Sequence, residues 1–225
     1  MINSRKIEIL ISLPKSLYVN YKLLPLKQAI KMPILVRYNC VLQNLSGMFS
    51  FPEEVKRFMF RMGFGDIAIF DKKFSRSILD VSGKVIVNGS VFFGHGCKIS
   101  VSKNGVLELG EDVRTTAEMS LVCHHSVKIG RHVLISWETM IMDTDFHYTE
   151  NTIDKTISLL CSPVIIEDNV WIGCRTTILK GSYIPYGCVV GSSSLINKKF
   201  DRAYVLLAGN PASIKKMNVT RKLSD

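Results

Sequence analysis

The segment Asp143-Thr-Asp-Phe-His147 sets two carboxylates four and two residues ahead of an imidazole. Histidine, with an unperturbed pKa of about 6.5, is the side chain best suited to remove a proton from a weakly acidic hydroxyl near neutral pH. His147 is therefore the candidate general base. Asp145 and Asp143 are candidates to accept the second ring N–H or to hold acceptor hydroxyls, although aspartates at the root of a loop also satisfy turn amides. Further along, Trp171 stands beside Ile172 in Val170-Trp-Ile-Gly173, and Lys198-Lys199 and Lys215-Lys216 form two cationic pairs suited to a polyanion. No serine or cysteine occupies a GxSxG-type elbow, so a covalent acyl-enzyme has no support.

The elements that position these residues show a period of six. Ile166, Ile172, Ile178, Ile184, Val190 and Ile196 are spaced six apart. Helical side chains return to one face after about 3.6 residues and strand side chains after 2, so six implies short straight segments joined at regular corners. That is the hexapeptide repeat of a parallel β-helix. Val87, Phe93 and Ile99 keep the spacing, a reset follows near Leu107–Leu109, and Ile129, Ile135 and Ile141 resume it. Val170, Thr176, Ser182, Cys188 and Ser194, four past the aliphatic positions, are compact enough for corners, and Gly130, Gly173, Gly181, Gly187 and Gly191 are expected to ease the backbone there. Trp171, next to an inward Ile172, must point outward. Between Ile141 and Val164 the repeat stops, and a solenoid extrudes a loop of that length for a ligand.

Residues 1–80 lack the repeat. Pro14, Pro25 and Pro33 break them into segments, and Ser50-Phe51-Pro52-Glu53 reads as a capping box opening a helix with Val55, Phe58, Met59 and Met62 on its apolar face. The expected division is a cap over 1–80, a β-helix over 81–212 with a loop insertion at 148–163, and a basic tail over 213–225. A cap covers the open end of the solenoid; a basic amphipathic patch resting on a membrane surface is compatible with it.

The formal charge is +10, with Lys and Arg outnumbering Asp and Glu 13 to 6 in residues 1–80 and 9 to 4 in 162–225, while 81–161 carry 7 against 9. Basic ends suit anionic lipid or a phosphorylated ligand. No nucleic-acid-binding signature accompanies them. The six cysteines are dispersed with no CxxC, which suits small buried thiols in a reducing compartment. No apolar run reaches the roughly 18 residues of a membrane span and no signal-peptide cleavage site follows Arg5-Lys6, so a cytoplasmic protein with peripheral membrane contact at most is expected.

Asp143-Thr-Asp-Phe-His147, Ser162-Pro-Val-Ile-Ile-Glu-Asp-Asn-Val-Trp-Ile-Gly-Cys174 and Ala208-Gly-Asn-Pro-Ala212 together resemble the hexapeptide-repeat acyltransferases. Within them the sequence looks most like the maltose, galactoside and nodulation-factor acetyltransferase group, and especially the O-acetyltransferases of bacterial surface-polysaccharide clusters. The resemblance covers about residues 81–216. It implies an all-β solenoid, a left-handed parallel β-helix, assembled as a homotrimer with active sites between subunits and with acetyl-CoA as donor. It places the catalytic histidine at His147, lines the pantetheine channel with Trp171, Cys174 and Ser192, and puts Asn197, Lys198, Lys199 and Lys216 near the CoA phosphates. This chain has Asn197 where the family often has threonine, and Ser213 where arginine is common. The acceptor is expected among Asp143, Trp137, Tyr148 and the loop. The implied reaction is O-acetylation of a sugar hydroxyl in surface-polysaccharide synthesis. N-acetylation of an amino sugar, O-acetylation of serine and a non-catalytic trimeric scaffold are the alternatives. A zinc site like that of β-helix carbonic anhydrases, with histidines five apart, is not expected, because position 152 is Thr152.

Overall fold

The computed structural model describes residues 4–222. Three sheets of nine, seven and six strands run the length of the molecule, parallel except for the last strand of the nine, and as far as Ile196 the chain visits them in strict rotation. Each circuit of first, second and third face is one coil. The first coil is Ile34–Val36, Val41–Leu45 and Met48–Ser50, and the second is Phe60–Phe64, Ile78–Val81 and Lys84–Val87. Val91–Gly94, Lys98–Val101 and Val106–Leu109 make the third; Val113–Thr115, Ser120–Cys123 and Ser126–Ile129 the fourth. The fifth is Leu134–Ile135, Met140–Met142 and Val164–Ile166, and the sixth Trp171–Ile172, Thr177–Ile178 and Tyr183–Ile184. Val189–Val190 and Leu195–Ile196 begin the seventh, which touches the third face only where Lys199 bridges to Tyr183. Val205–Ala208 then adds to the first face, and Ser213–Met217 folds back antiparallel on it.

The aliphatic period is the core. Ile166, Ile172, Ile178, Ile184, Val190 and Ile196 are all fully buried in the prism, and each of these large aliphatic side chains removed from water is worth about 1.5–3 kcal/mol. The compact corner residues are buried as expected, and their hydroxyls close the corners: Thr176 Oγ1 donates to Gly173 O (2.8 Å), Ser182 Oγ to Leu179 O (2.6 Å) and Ser194 Oγ to Gly191 O (2.7 Å). The left-handed backbone at the corners is taken mostly by other residues than glycine, among them Glu138 (φ 56°), Arg175 (φ 58°) and Ser193 (φ 56°) in successive coils. Gly173 answers a different need, since a Cβ there would lie 2.6 Å from Ser192 N.

The solenoid begins at Ile34, not near residue 81. The helix expected after Ser50 does not form: Ser50 ends a strand, and Phe60–Phe64 is another. Phe60, Met62 and Phe64 point inward while Arg61 points out, a period of two, and Phe60–Phe64 gains backbone partners on both sides from Ile34–Val36 and Val91–Gly94. Strand pairing on two edges outweighs an apolar spacing that fits a helix equally well. Phe49, Phe60 and Phe93 fill the lower core with ring centroids 5.2 and 5.6 Å apart.

The cap proper is helix α1 (Ser4–Leu23), which runs through Pro14, followed by the short α2 (Leu26–Ala29). α1 turns polar residues toward the solenoid. Ser12, Ser16 and Asn20 are buried, and they satisfy the open edge of Ile34–Val36: Tyr38 N donates to Ser12 Oγ (3.0 Å), Val36 N to Ser16 Oγ (3.0 Å) and Ile34 N to Asn20 Oδ1 (3.1 Å), while Asn20 Nδ2 donates to Ile34 O (2.7 Å). An exposed sheet edge is thereby closed by side chains in place of a strand.

Candidate active site

The repeat breaks at the corner between second and third faces of the fifth coil. The chain leaves after Met142 and returns at Val164, and the excursion is tied by antiparallel bridges Thr144–Cys161 and Glu150–Ile157. Asp143 anchors its root. It is fully buried, and its carboxylate accepts the N–H groups of His124, His125 and Ser126, each at 2.7 Å. Both oxygens are engaged with backbone, so Asp143 is a structural brace and does not meet an acceptor as expected. Its charge, second to burial, helps push the Cys123 thiol up to about 12.

Two residues on, Asp145 makes an ion pair with Lys180 (2.6 Å), whose ammonium also donates to Leu159 O. The imidazole is not its partner. Phe146 adopts a left-handed conformation (φ 59°) and sets its ring edge-on to His124, with centroids 5.0 Å apart. His147 follows and is exposed, as is Tyr148. A pinned aspartate, a locked phenylalanine and an ion-paired root thus deliver an accessible imidazole.

Lys180 was missing from the sequence-derived residues. A register signal exists, because Ile178 pairs with Ile141, which puts Lys180 on the corner directly above Asp143 once the excursion is removed. The same edge carries Asn197, Lys198 and Lys199 one coil further up, all exposed. Lys198 Nζ lies 5.4 Å from the Phe200 ring centre.

The other expected residues occupy the edge between first and second faces. Trp137, Cys174 and Ser192 take successive corners there, linked by Arg175 N to Trp137 O and Ser193 N to Cys174 O, both 2.9 Å. Trp171 points outward on the first face as expected, 38% exposed, with its indole N–H 3.4 Å from Ser136 Oγ. Lys216, on the outermost strand, pairs in register with Leu206, and Lys215 folds over Gly209. The wall expected from Trp171 to Lys199 is therefore not continuous in one chain. His147, Asn197, Lys198 and Lys199 lie on one edge of the second face, and Trp137, Cys174 and Ser192 on the other.

Among the described residues no group of three or more His, Cys, Asp or Glu could hold a metal ion. His95 is buried away from the loop, and burial holds its pKa below the usual value against the opposing pull of Glu118 and Asp66. His132 Nδ1 lies 3.4 Å from Asp112 Oδ2 on the third edge. The cysteines are free thiols, and burial pushes Cys40 up to about 12 and Cys97 up to about 11, far from nucleophilic.

The architecture is a parallel β-helix of six-residue repeats with a histidine-bearing excursion. No established family profile matches the chain. An Escherichia coli protein named as an O-acetyl transferase of lipopolysaccharide biosynthesis is 30% identical over 151 residues, which are 60% of this chain and 76% of that protein. The galactoside O-acetyltransferase of Escherichia coli is 27% identical over 128 residues, 57% of this chain and 58% of its own. Among solved structures, a polysialic acid O-acetyltransferase aligns with a TM-score of 0.46 at 20% identity, over 82% of this chain and 92% of that one. The chain belongs to the hexapeptide-repeat acetyltransferases, and it is an acetyltransferase.

Proposed function

We propose that this enzyme transfers the acetyl group of acetyl-CoA to a hydroxyl of a saccharide built into a bacterial surface polysaccharide, with His147 as general base. The observation that carries the reading is the root of the excursion, where Asp143, Phe146 and the Asp145–Lys180 pair hold the chain so that His147 is presented to solvent. The imidazole takes the acceptor's hydroxyl proton as the oxygen attacks the thioester carbonyl and a C–O bond forms. The tetrahedral intermediate collapses, the C–S bond breaks, and the imidazolium returns its proton to the leaving thiolate, giving the ester and free CoA.

The enzyme acts as a trimer. In a three-fold arrangement with the second face toward the axis, the edge bearing Trp137, Cys174 and Ser192 on one subunit meets the edge bearing His147 on the next. The donor channel and the base are then joined across the interface. Lys198 and Lys199 crown one edge and Lys215 and Lys216 the strand beside the other, so both pairs flank the same end of that groove, where the CoA phosphates belong. The excursion exposes Ile153 (91%) and Leu159 (74%), surface that a neighbouring subunit covers.

Incubating the protein with acetyl-CoA and a panel of mono-, oligo- and nucleotide sugars, with release of free thiol and mass gain of the acceptor as readouts, tests the reaction. An acetyl ester on a sugar hydroxyl is expected. Acetylation confined to amino groups would overturn the O-transfer assignment.

A further inference from the structure

Helix α1 has two apolar sides, one packed on the solenoid through Val19 and Leu23 and one turned to the outside. Its polar residues Ser12, Ser16 and Asn20 are committed to the solenoid edge beside the buried Val19 and Leu23, and a second set of apolar residues faces outward. Ile7, Leu10, Ile11, Leu17, Tyr18 and Tyr21 recur at the helical i, i+3, i+4 and i+7 spacing, with Leu10 65% and Tyr18 57% exposed. Leu26 and Ile30, at and just past α2, extend the stripe. Residues 4–33 carry the cations Arg5, Lys6, Lys15, Lys22, Lys27 and Lys31 against one acid, Glu8. Glu8 is turned inward, paired with Arg37 (2.7 Å) and Lys72 (3.2 Å). Lys15 is also turned inward, donating to Cys40 O (2.7 Å), so the outward face has an apolar centre, tyrosines and a border made by the remaining cations.

We infer that α1 and α2 dock this protein onto a membrane surface rich in anionic lipid. The helix lies in the plane of the surface, its stripe entering the headgroup boundary and its lysines reaching phosphate. It does not span, since no helix among the described residues is long and apolar enough to cross a membrane. A second copy fits the patch less well, because an isologous pairing would set one cationic border against another, whereas anionic headgroups neutralise it. The helix covers the N-terminal edge of the solenoid, so the prism rises from the membrane. His147, in the fifth coil, stands on the order of 20 Å above the first coil, at about 4.8 Å per coil, and α1 lies beneath that coil.

Co-sedimentation of the full-length protein with phosphatidylcholine vesicles, with and without roughly one third phosphatidylglycerol, tests this. The expected result is partition onto the anionic vesicles at least about tenfold above the neutral ones, falling with added salt. A Leu10→Glu, Ile11→Glu variant is expected to lose about tenfold or more of that partition while keeping its melting temperature and its turnover of a soluble acceptor. Equal partition of variant and wild type, or none above a non-binding control protein, would overturn the inference. So would a variant that changes sedimentation coefficient while vesicle binding is unchanged, which would make the face an interface between copies.

Discussion

His147 and Asp143 lie four residues apart and differ wholly in kind. The imidazole is exposed, while the buried carboxylate holds three backbone amides. His147→Ala is expected to lower the rate of thiol release by about 10²–10⁴-fold with the fold intact, read by steady-state kinetics beside a thermal melt. Asp143→Ala does the opposite. Three backbone N–H groups lose a buried acceptor, and chemical denaturation should show a loss of about 3 kcal/mol. His95 supplies a pH dependence. Burial depresses its folded-state pKa, so the unfolded chain binds the extra proton first as pH falls. The stability of the neutral form is present above about pH 6.5 and is lost as pH falls through that value toward the lower folded-state pKa. Melts from pH 7.5 to 5 should slope downward, and a His95→Leu protein should slope less.

Among the elements, the six-residue period was readable because each inward residue is a large aliphatic repeated without a gap. Ile172→Ala should cost about 2–5 kcal/mol, measured by urea denaturation, since its coil neighbours at Ile135 and Val190 cannot close the space. The first two coils were not readable. Their inner residues include Phe49, Phe60, Met62 and Leu79, and the 65–77 loop interrupts them, so the spacing is irregular although the pairing is not. α1 was obscured for a related reason. A helix whose buried face mixes Ser12, Ser16 and Asn20 with Val19 and Leu23 shows no clean inward apolar stripe, because part of its task is to satisfy an open strand. Asn20→Ala should destabilise by about 1–3 kcal/mol by orphaning the Ile34 amide and carbonyl, while leaving the upper coils protected in hydrogen exchange.

For the whole molecule the decisive relation is between edges. His147 borders one side of the second face and Trp137, Cys174 and Ser192 the other, so a complete site of the proposed kind needs two chains. Co-expressing His147→Ala and Trp137→Ala subunits should therefore restore about a quarter of wild-type sites in randomly mixed trimers, although each variant alone is impaired. Sites complete within one chain would show no such recovery. Sedimentation velocity on the same samples tests the proposed trimer.

Local periodicity was enough for the sequence to determine the β-helix, the excursion after Ile141, the outward turn of Trp171 and the candidacy of His147, because each depends on residues near one another in the chain. Which carboxylate is a brace, which lysine meets Asp145, where the solenoid begins and which residues share an edge depend on pairings between coils separated by loops of unequal length. Those registers are set by packing and backbone hydrogen bonding across the prism, and only the tertiary structure decided them.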